Sequence, residues 1–292
     1  MENYINKQLT EGYNGKLNAL FDEWIASYRE EDEAGKRFVK DGLVIKHKEE
    51  ASGYNINKKW DESERRIMFI VKDCPDGEEY DARRLFVGYP NNEKSQINAK
   101  NVRNVKGAFF KNIARMLHGL WILTQENKGT DDIFDKIDNN KVAQIKAFDE
   151  IPFAFVEGKK LAGDKNCPPQ ELQKALEHDG QYLAKEIEIL RPNIVVCCDQ
   201  DGIIFNSVVQ NYFNDRPLDK DHKWEYRFGG ADGFDCKLYY YEEENILLFN
   251  SFHPSYRGDK WKIYERVLSP FRQFFEKYKT FDIISSANKS IQ

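Results

Sequence analysis

Residues able to do chemistry collect at four places in this chain, each directly after a short apolar run. Lys72-Asp73-Cys74-Pro75-Asp76-Gly77 follows the run at 66–71, and Glu157-Gly158-Lys159-Lys160 follows the one at 151–156. Asp199-Gln200-Asp201-Gly202 comes after 194–198, and Asn250-Ser251-Phe252-His253-Pro254-Ser255-Tyr256-Arg257-Gly258 comes after 246–249. The last turn is the richest. A histidine thrown off a buried strand, stiffened by proline and followed by hydroxyl and guanidinium groups, can present an acid or an anion stabiliser to a cleft. His253 differs in this from His47, His118, His178 and His222, none of which ends an apolar run. The turn at 72–77 offers Lys72, Asp73 and Asp76 beside a proline-fixed backbone, or simply satisfies turn geometry. Lys159, Lys160 and Lys165 make either a basic cluster or a solvated face, and Asp199 and Asp201 can equally cap the helix that follows.

The elements between the turns are legible from periodicity. Leu17, Leu20, Phe21, Trp24, Ile25 and Tyr28 recur at helical spacing and predict an amphipathic N-terminal helix. Residues 29–64 read as extension and loop. Runs at 66–71, 151–156, 194–198 and 246–249 are short and continuously apolar, as strands buried on both faces are. Helical patterns lie between them: 107–124, 133–148, a long helix ending at Arg191-Pro192, and a short one reaching Val209. Residues 223–243 alternate and suggest a small β-ribbon, and a C-terminal helix carries Trp261, Tyr264, Val267, Leu268, Phe271, Phe274 and Phe275, with Pro270 as an expected kink. Strands alternating with helices imply right-handed crossovers and a parallel sheet covered on both faces, with ligands at the carboxyl ends of its strands. All four polar turns lie on that edge.

Composition limits the function classes. The chain has 292 residues, a formal charge of −5, and 40% hydrophobic residues of which aromatics are a large part, so it can bury a core unaided and has no global attraction to nucleic acid. Contact with DNA or RNA would need a local basic patch. The five cysteines show no CxxC pair and no ligand-like spacing, which argues against zinc or iron–sulfur sites, and no cofactor is implied. Without a signal peptide or an apolar run near twenty residues, a cytoplasmic protein with reduced cysteines is expected. No Gly/Ser or Pro linker divides the sequence. Residues 1–60 are expected as a helical extension packed on a main domain at 61–292.

Four features stand in the order and spacing of a known superfamily. They are the strand and proline turn Phe69-Ile-Val-Lys-Asp-Cys-Pro75, the run Arg84-Leu-Phe-Val-Gly88, a long helix ending in Leu190-Arg-Pro before the valine-rich strand to Cys198, and His253-Pro-Ser-Tyr256. Over residues 60–278 the chain resembles the uracil-DNA glycosylase superfamily, in particular a branch with a Lys-Asp/Glu pair after the first strand. The resemblance implies a three-layer αβα sandwich around a four-stranded parallel sheet, with a base-binding pocket at its carboxyl edge. It implies an enzyme of DNA repair that flips a nucleotide out of the helix and cleaves its N-glycosidic bond. His253 matches the histidine that hydrogen-bonds the departing base anion, and Phe86 the aromatic on which the base stacks. Asp73 falls on the polar position of the first motif. Ser255 would lie near a phosphate, Tyr256 and Arg257 in the loop that enters DNA, and Arg83, Arg84, Lys159, Lys160 and Arg257 would form the patch that contacts the backbone.

The chain also departs from the pattern. Lys72 replaces the glycine that opens the first motif, and Cys74 stands where some families carry a water-activating aspartate. Glu157 or Phe155, depending on the gap, replaces the asparagine that reads uracil. An ionised glutamate only accepts hydrogen bonds, and so suits an exocyclic amino group better than a carbonyl. The iron–sulfur cysteines of some bacterial families are missing. Three functions stay open: a glycosylase acting through Asp73, Glu157 and His253, a non-catalytic nucleic-acid or nucleotide-binding module, and a hydrolase of free nucleosides.

Overall fold

The computed structural model describes residues 2–28, 34, 37–46, 54–72, 81–86, 107–123, 130–163, 167–227, 235–258, 260–278 and 281. Helices α1 (Glu2–Thr10) and α2 (Gly12–Ala26) precede strand β1 (Gly42–Leu43) and helix α3 (Ile56–Glu62). Strand β2 (Ile67–Val71) leads through a 3-10 turn (Ala82–Arg84) to helices α4 (Ala108–Ile122), α5 (Thr130–Ile137) and α6 (Lys141–Glu150). Then come β3 (Phe153–Glu157), α7 (Pro169–Leu190), β4 (Ile194–Cys198), α8 (Ile203–Asn211), β5 (Lys223–Arg227), β6 (Asp235–Tyr241), β7 (Ile246–Ser251) and α9 (Lys260–Lys277).

The protein is α/β, with one mixed sheet in the order β1-β3-β2-β4-β7-β6-β5. Its middle is parallel: Phe69 pairs with Phe155 on one side and Val196 on the other, and Val196 pairs with Phe249. Every residue of β2, β3, β4 and β7 is buried, which explains their apolar sequences, interrupted only at the carboxyl ends by Glu157 in β3 and by Asn250 and Ser251 in β7. Alternate side chains go to opposite faces. Phe69, Phe155, Val196 and Phe249 meet Ile113 and Leu117 of α4, Phe148 of α6, and Leu268, Phe271 and Phe275 of α9. Met68, Ile70, Val156, Val195 and Leu248 meet Phe21 and Trp24 of α2, Leu183 and Ile187 of α7, and Ile204 and Val208 of α8. The sheet is therefore flanked by helices on both faces.

Three expectations are corrected. The sheet has seven strands rather than four and is not wholly parallel. The ribbon at 223–243 extends it, because β6 pairs antiparallel with β7 and β5 with β6. Both faces of β6 are apolar enough to continue the core, with Leu238 and Tyr240 on one side and Tyr241 on the other. Within the segment expected as extension and loop, β1 pairs antiparallel with β3. The helical pattern at 133–148 is two helices. Asn139 adopts φ 55°, and the Asn140 side chain accepts from the Ala143 amide to start α6, so the chain stops and restarts at Asp138-Asn139-Asn140. The break read at Arg191-Pro192 holds, with α7 starting on Pro169 and ending at Arg191 in the left-handed conformation, while α9 runs as one helix through Pro270.

The outer edge at β1 is closed by side chains. Asn14 of α2 donates to the Leu43 carbonyl at 2.9 Å and accepts from the Leu43 amide at 3.0 Å. Gln8 of α1 treats Lys46 in the same way, both bonds at 3.0 Å. Two amide side chains thus stand in for a neighbouring strand and satisfy an edge that would otherwise be left unpaired. Asn14 is 1% exposed, so Asn14→Ala leaves buried backbone groups without partners. Urea denaturation should show a loss of about 2–6 kcal/mol, from the two Leu43 groups at about 1–3 kcal/mol each. A loss below about 0.5 kcal/mol would show that water replaces the amide.

Candidate functional site

The parallel strands bring their carboxyl ends to one edge, and that edge is cross-linked. The Gly158 amide donates to the Val71 carbonyl at 2.7 Å and the Lys159 amide to the Lys72 carbonyl at 2.9 Å, so the turns after β3 and β2 stay zipped beyond the strands. Gly158 is needed there, because a Cβ would lie 3.2 Å from the Val71 carbonyl oxygen and 3.3 Å from Ile204. Lys72 reaches across to Asp201 after β4, with Nζ 3.5 Å from Oδ2. Asp199, fully buried, accepts from the Ile203 amide at 2.6 Å and the Ile204 amide at 3.3 Å, capping α8, and Gly202 makes the turn at φ 72°. Burial pushes the Asp199 carboxyl up to about 7, against the pull of those two amides and of Lys72.

His253 lies two residues past β7, half-buried. Its Nδ1 is 3.2 Å from the Ser255 amide and accepts from it, while its own carbonyl accepts from the Tyr256 amide at 2.9 Å. Occupation of Nδ1 by a donor puts the proton of the neutral ring on Nε2. Burial, and secondarily the Lys72 charge, lower its pKa from 6.5 to about 4. The ring therefore sits at this edge as a neutral hydrogen-bond donor. Its aromatic neighbour is Phe109 of α4, ring centroids 6.0 Å apart at 47°.

The other residues singled out from the sequence divide into several groups. Asp73 and Cys74 lie outside the described residues. Lys72, Glu157 and His253 share the strand-end edge. Glu157 is 3% exposed, and its amide donates to Asp41 Oδ2 at 2.6 Å. Phe86 is 2% exposed and ringed by Phe110, Phe148, Phe153 and Phe155 at 5.0–5.9 Å.

The cations differ from one another in the same way. Lys160 is completely buried between Asp41 and Glu186, 2.9 Å from the latter. Burial works against its charge, but the two carboxylates outweigh it and raise its pKa, while burial and the Asp41 charge drive Glu186 well above the usual carboxylate range. Lys159 pairs with Glu171 at 3.0 Å. Arg83 is 2% exposed and grips Asp81 with two 2.8 Å bonds, adding Asn18 of α2 at 2.9 Å. Arg84 lines a cleft of about 320 Å³ with Asn6, Thr10, Lys40 and Asp81, which none of the strand-end residues borders. Ser255 and Arg257 are exposed and Tyr256 half-buried. Among the described residues no group of three His, Cys, Asp or Glu side chains could hold a metal ion. No described helix is long and apolar enough to cross a membrane.

Sequence reasoning missed Phe109 and Asn112. Phe109 reads like any other apolar position of an amphipathic helix, and the partners that tie both residues to the His253 turn lie beyond residue 250. Asn112 donates to the carbonyls of Pro254 at 2.8 Å and Tyr256 at 3.2 Å. A buried asparagine on the apolar face of a helix was the one available signal.

NMR titration of the His253 ring should give a midpoint near 4. Because the unfolded state then takes up this proton first, the histidine costs stability as pH falls through 6.5 toward 4 and costs nothing above. Lys72→Met should raise the midpoint only partly, since burial is the larger cause. An ordinary midpoint in the native protein would overturn this account. The sequence matches no family model and no curated protein, so what is shown is an α/β chain whose mixed seven-stranded sheet has a parallel core flanked by helices.

Proposed function

We propose that the carboxyl edge of the parallel core binds a nucleobase, and that the protein is a uracil-DNA glycosylase-like hydrolase of N-glycosidic bonds on an αβα sandwich of that type. The observation that carries this reading is His253, a neutral imidazole with Nδ1 taken by the Ser255 amide and Nε2–H left as donor. When the bond between the sugar C1′ and the base nitrogen breaks, its electron pair leaves with the base. A fixed neutral donor in a partly desolvated site stabilises that developing anion without itself having to lose a proton. In this scheme a water supplies the oxygen that joins C1′, and the water's proton ends, overall, on the base, with Asp73, on the polar position of the first motif, as the candidate catalytic carboxylate. The half-buried ring of Phe109 beside His253 supplies an apolar surface for the base, and Glu157 accepts from a base amino group.

The charges favour a small ligand over a long DNA contact as a second reading. Arg83 and Lys160 are held inside the fold by carboxylates, and Lys159 by Glu171, which leaves of the expected patch Arg257, exposed, and Arg84, half-buried at a cleft that no strand-end residue borders. A free nucleoside needs no backbone patch.

The experiment compares wild type with His253→Ala on oligonucleotides carrying uracil or modified bases, read by alkaline scission, and on free nucleosides, read by base release. Loss of an anion-stabilising donor should slow turnover by about 10²–10³-fold. Release only from nucleosides selects the second reading. No release above the His253→Ala level on any substrate would overturn catalysis here.

A further inference from the structure

Helix α4 meets the His253 turn through more than its Phe109 ring. Asn112 lies one helical turn after Phe109 on the same face and is 3% exposed. Its Nδ2 donates to the carbonyls of Pro254 and Tyr256, which flank Ser255. Its Oδ1 accepts from Arg115 Nη1 at 2.7 Å. Arg115, 4% exposed, is itself held through Nη2 by an ion pair with Asp138. Asp138 stands at the break between α5 and α6.

The arrangement admits only one orientation of the amide. A guanidinium has donors and no acceptor, so Oδ1 must face Arg115, and backbone carbonyls only accept, so the NH2 must face the turn. Both N–H bonds and the oxygen are thereby occupied. The same turn carries the backbone amide of Ser255 that holds His253 Nδ1.

We propose that Asn112, braced by Arg115 and Asp138, is the positioning residue of the His253 turn, holding the backbone that orients the imidazole and its Nε2–H. The inference rests on reading His253 as the working group of the site. It extends that reading by making α4, and the break that delivers Asp138, part of the same device. Asn112 touches no reacting atom. It acts by keeping the carbonyls of Pro254 and Tyr256 apart at a fixed spacing, so that the Ser255 amide stays on Nδ1. Without the clamp the turn opens to water, His253 loses its fixed tautomer, and the Phe109 ring no longer abuts it.

The test uses the full-length protein and three variants: Asn112→Ala, Asp138→Asn, and Asn14→Ala as a destabilised control remote from the turn. Ring NMR should show the His253 midpoint rising from about 4 to above about 5 in Asn112→Ala, as burial of the imidazole is relieved. Amide exchange at Ser255 and Tyr256 should quicken at least about tenfold, for a clamp bond of about 1.4 kcal/mol. Asp138→Asn should shift both in the same direction by less, and it decides the matter if Asn112→Ala does not fold. Asn14→Ala should change neither. A His253 midpoint and exchange unchanged in Asn112→Ala or, should that not fold, in Asp138→Asn would overturn the inference. So would equal changes in Asn14→Ala, because general loosening then explains them. These readouts need no substrate, so they stand or fall apart from glycosidic cleavage. Where base release is measurable, kcat should fall about 10–100-fold with KM nearly unchanged, as expected when geometry matters mainly in the transition state.

Discussion

Burial of the parallel strands on both faces constrains everything else in the molecule. Helices press on β2, β3, β4 and β7 from either side, so apolar side chains fill them up to their carboxyl ends, where Glu157, Asn250 and Ser251 stand. Polar chemistry is thereby displaced to their ends. Because the strands run the same way, the carboxyl ends fall together, and Lys72, Glu157, Asp199 and His253 become neighbours although nearly two hundred positions separate the first from the last. Pairing that continues past the strands, from Gly158 to Val71 and from Lys159 to Lys72, holds two of these turns in register.

A second consequence concerns the buried cations. Lys160, Arg83 and Arg115 are each almost wholly enclosed and matched to carboxylates: Lys160 to Asp41 and Glu186 and Arg115 to Asp138, from other parts of the chain, and Arg83 to Asp81 two residues before it. A charge taken out of water must be paired, and the pairs of Lys160 with Glu186 and of Arg115 with Asp138 join segments that the sheet does not join. Lys160 ties the strand-end turn of β3 to α7 and to the segment before β1. Arg83 ties the 3-10 turn to α2. Arg115 ties α4 to the α5–α6 break and, through Asn112, to the His253 turn. Arg83 and Lys160, two of the basic residues that look from the sequence like part of a surface for nucleic acid, act as internal fasteners.

The histidine shows how the two constraints meet. Partial burial and the Lys72 charge keep it neutral, and a backbone amide from its own turn chooses which nitrogen carries the proton. Neither condition can be read from the sequence His-Pro-Ser-Tyr alone, although the amide belongs to it. The first comes from what packs around the ring and from Lys72 at the end of β2, and the second depends on the turn being held in the conformation that brings the Ser255 amide to Nδ1.

The sequence by itself determined the parallel core, the helices between its strands and the edge at which the polar turns gather. Those features follow from local periodicity and from the one-way crossovers that alternating strands and helices require, and both are written in adjacent residues. The tertiary structure alone decided the rest. That β1, β5 and β6 extend the sheet depends on which faces find covering side chains. That the pattern at 133–148 breaks at Asn139 depends on a left-handed backbone that asparagine permits but does not dictate. Phe86 lies inside a cluster of phenylalanines, Phe109 abuts His253, and Lys160 is sealed between two carboxylates. Each outcome is set by a partner far away in the chain, and a residue's type constrains what it can pair with without saying what folding will bring beside it.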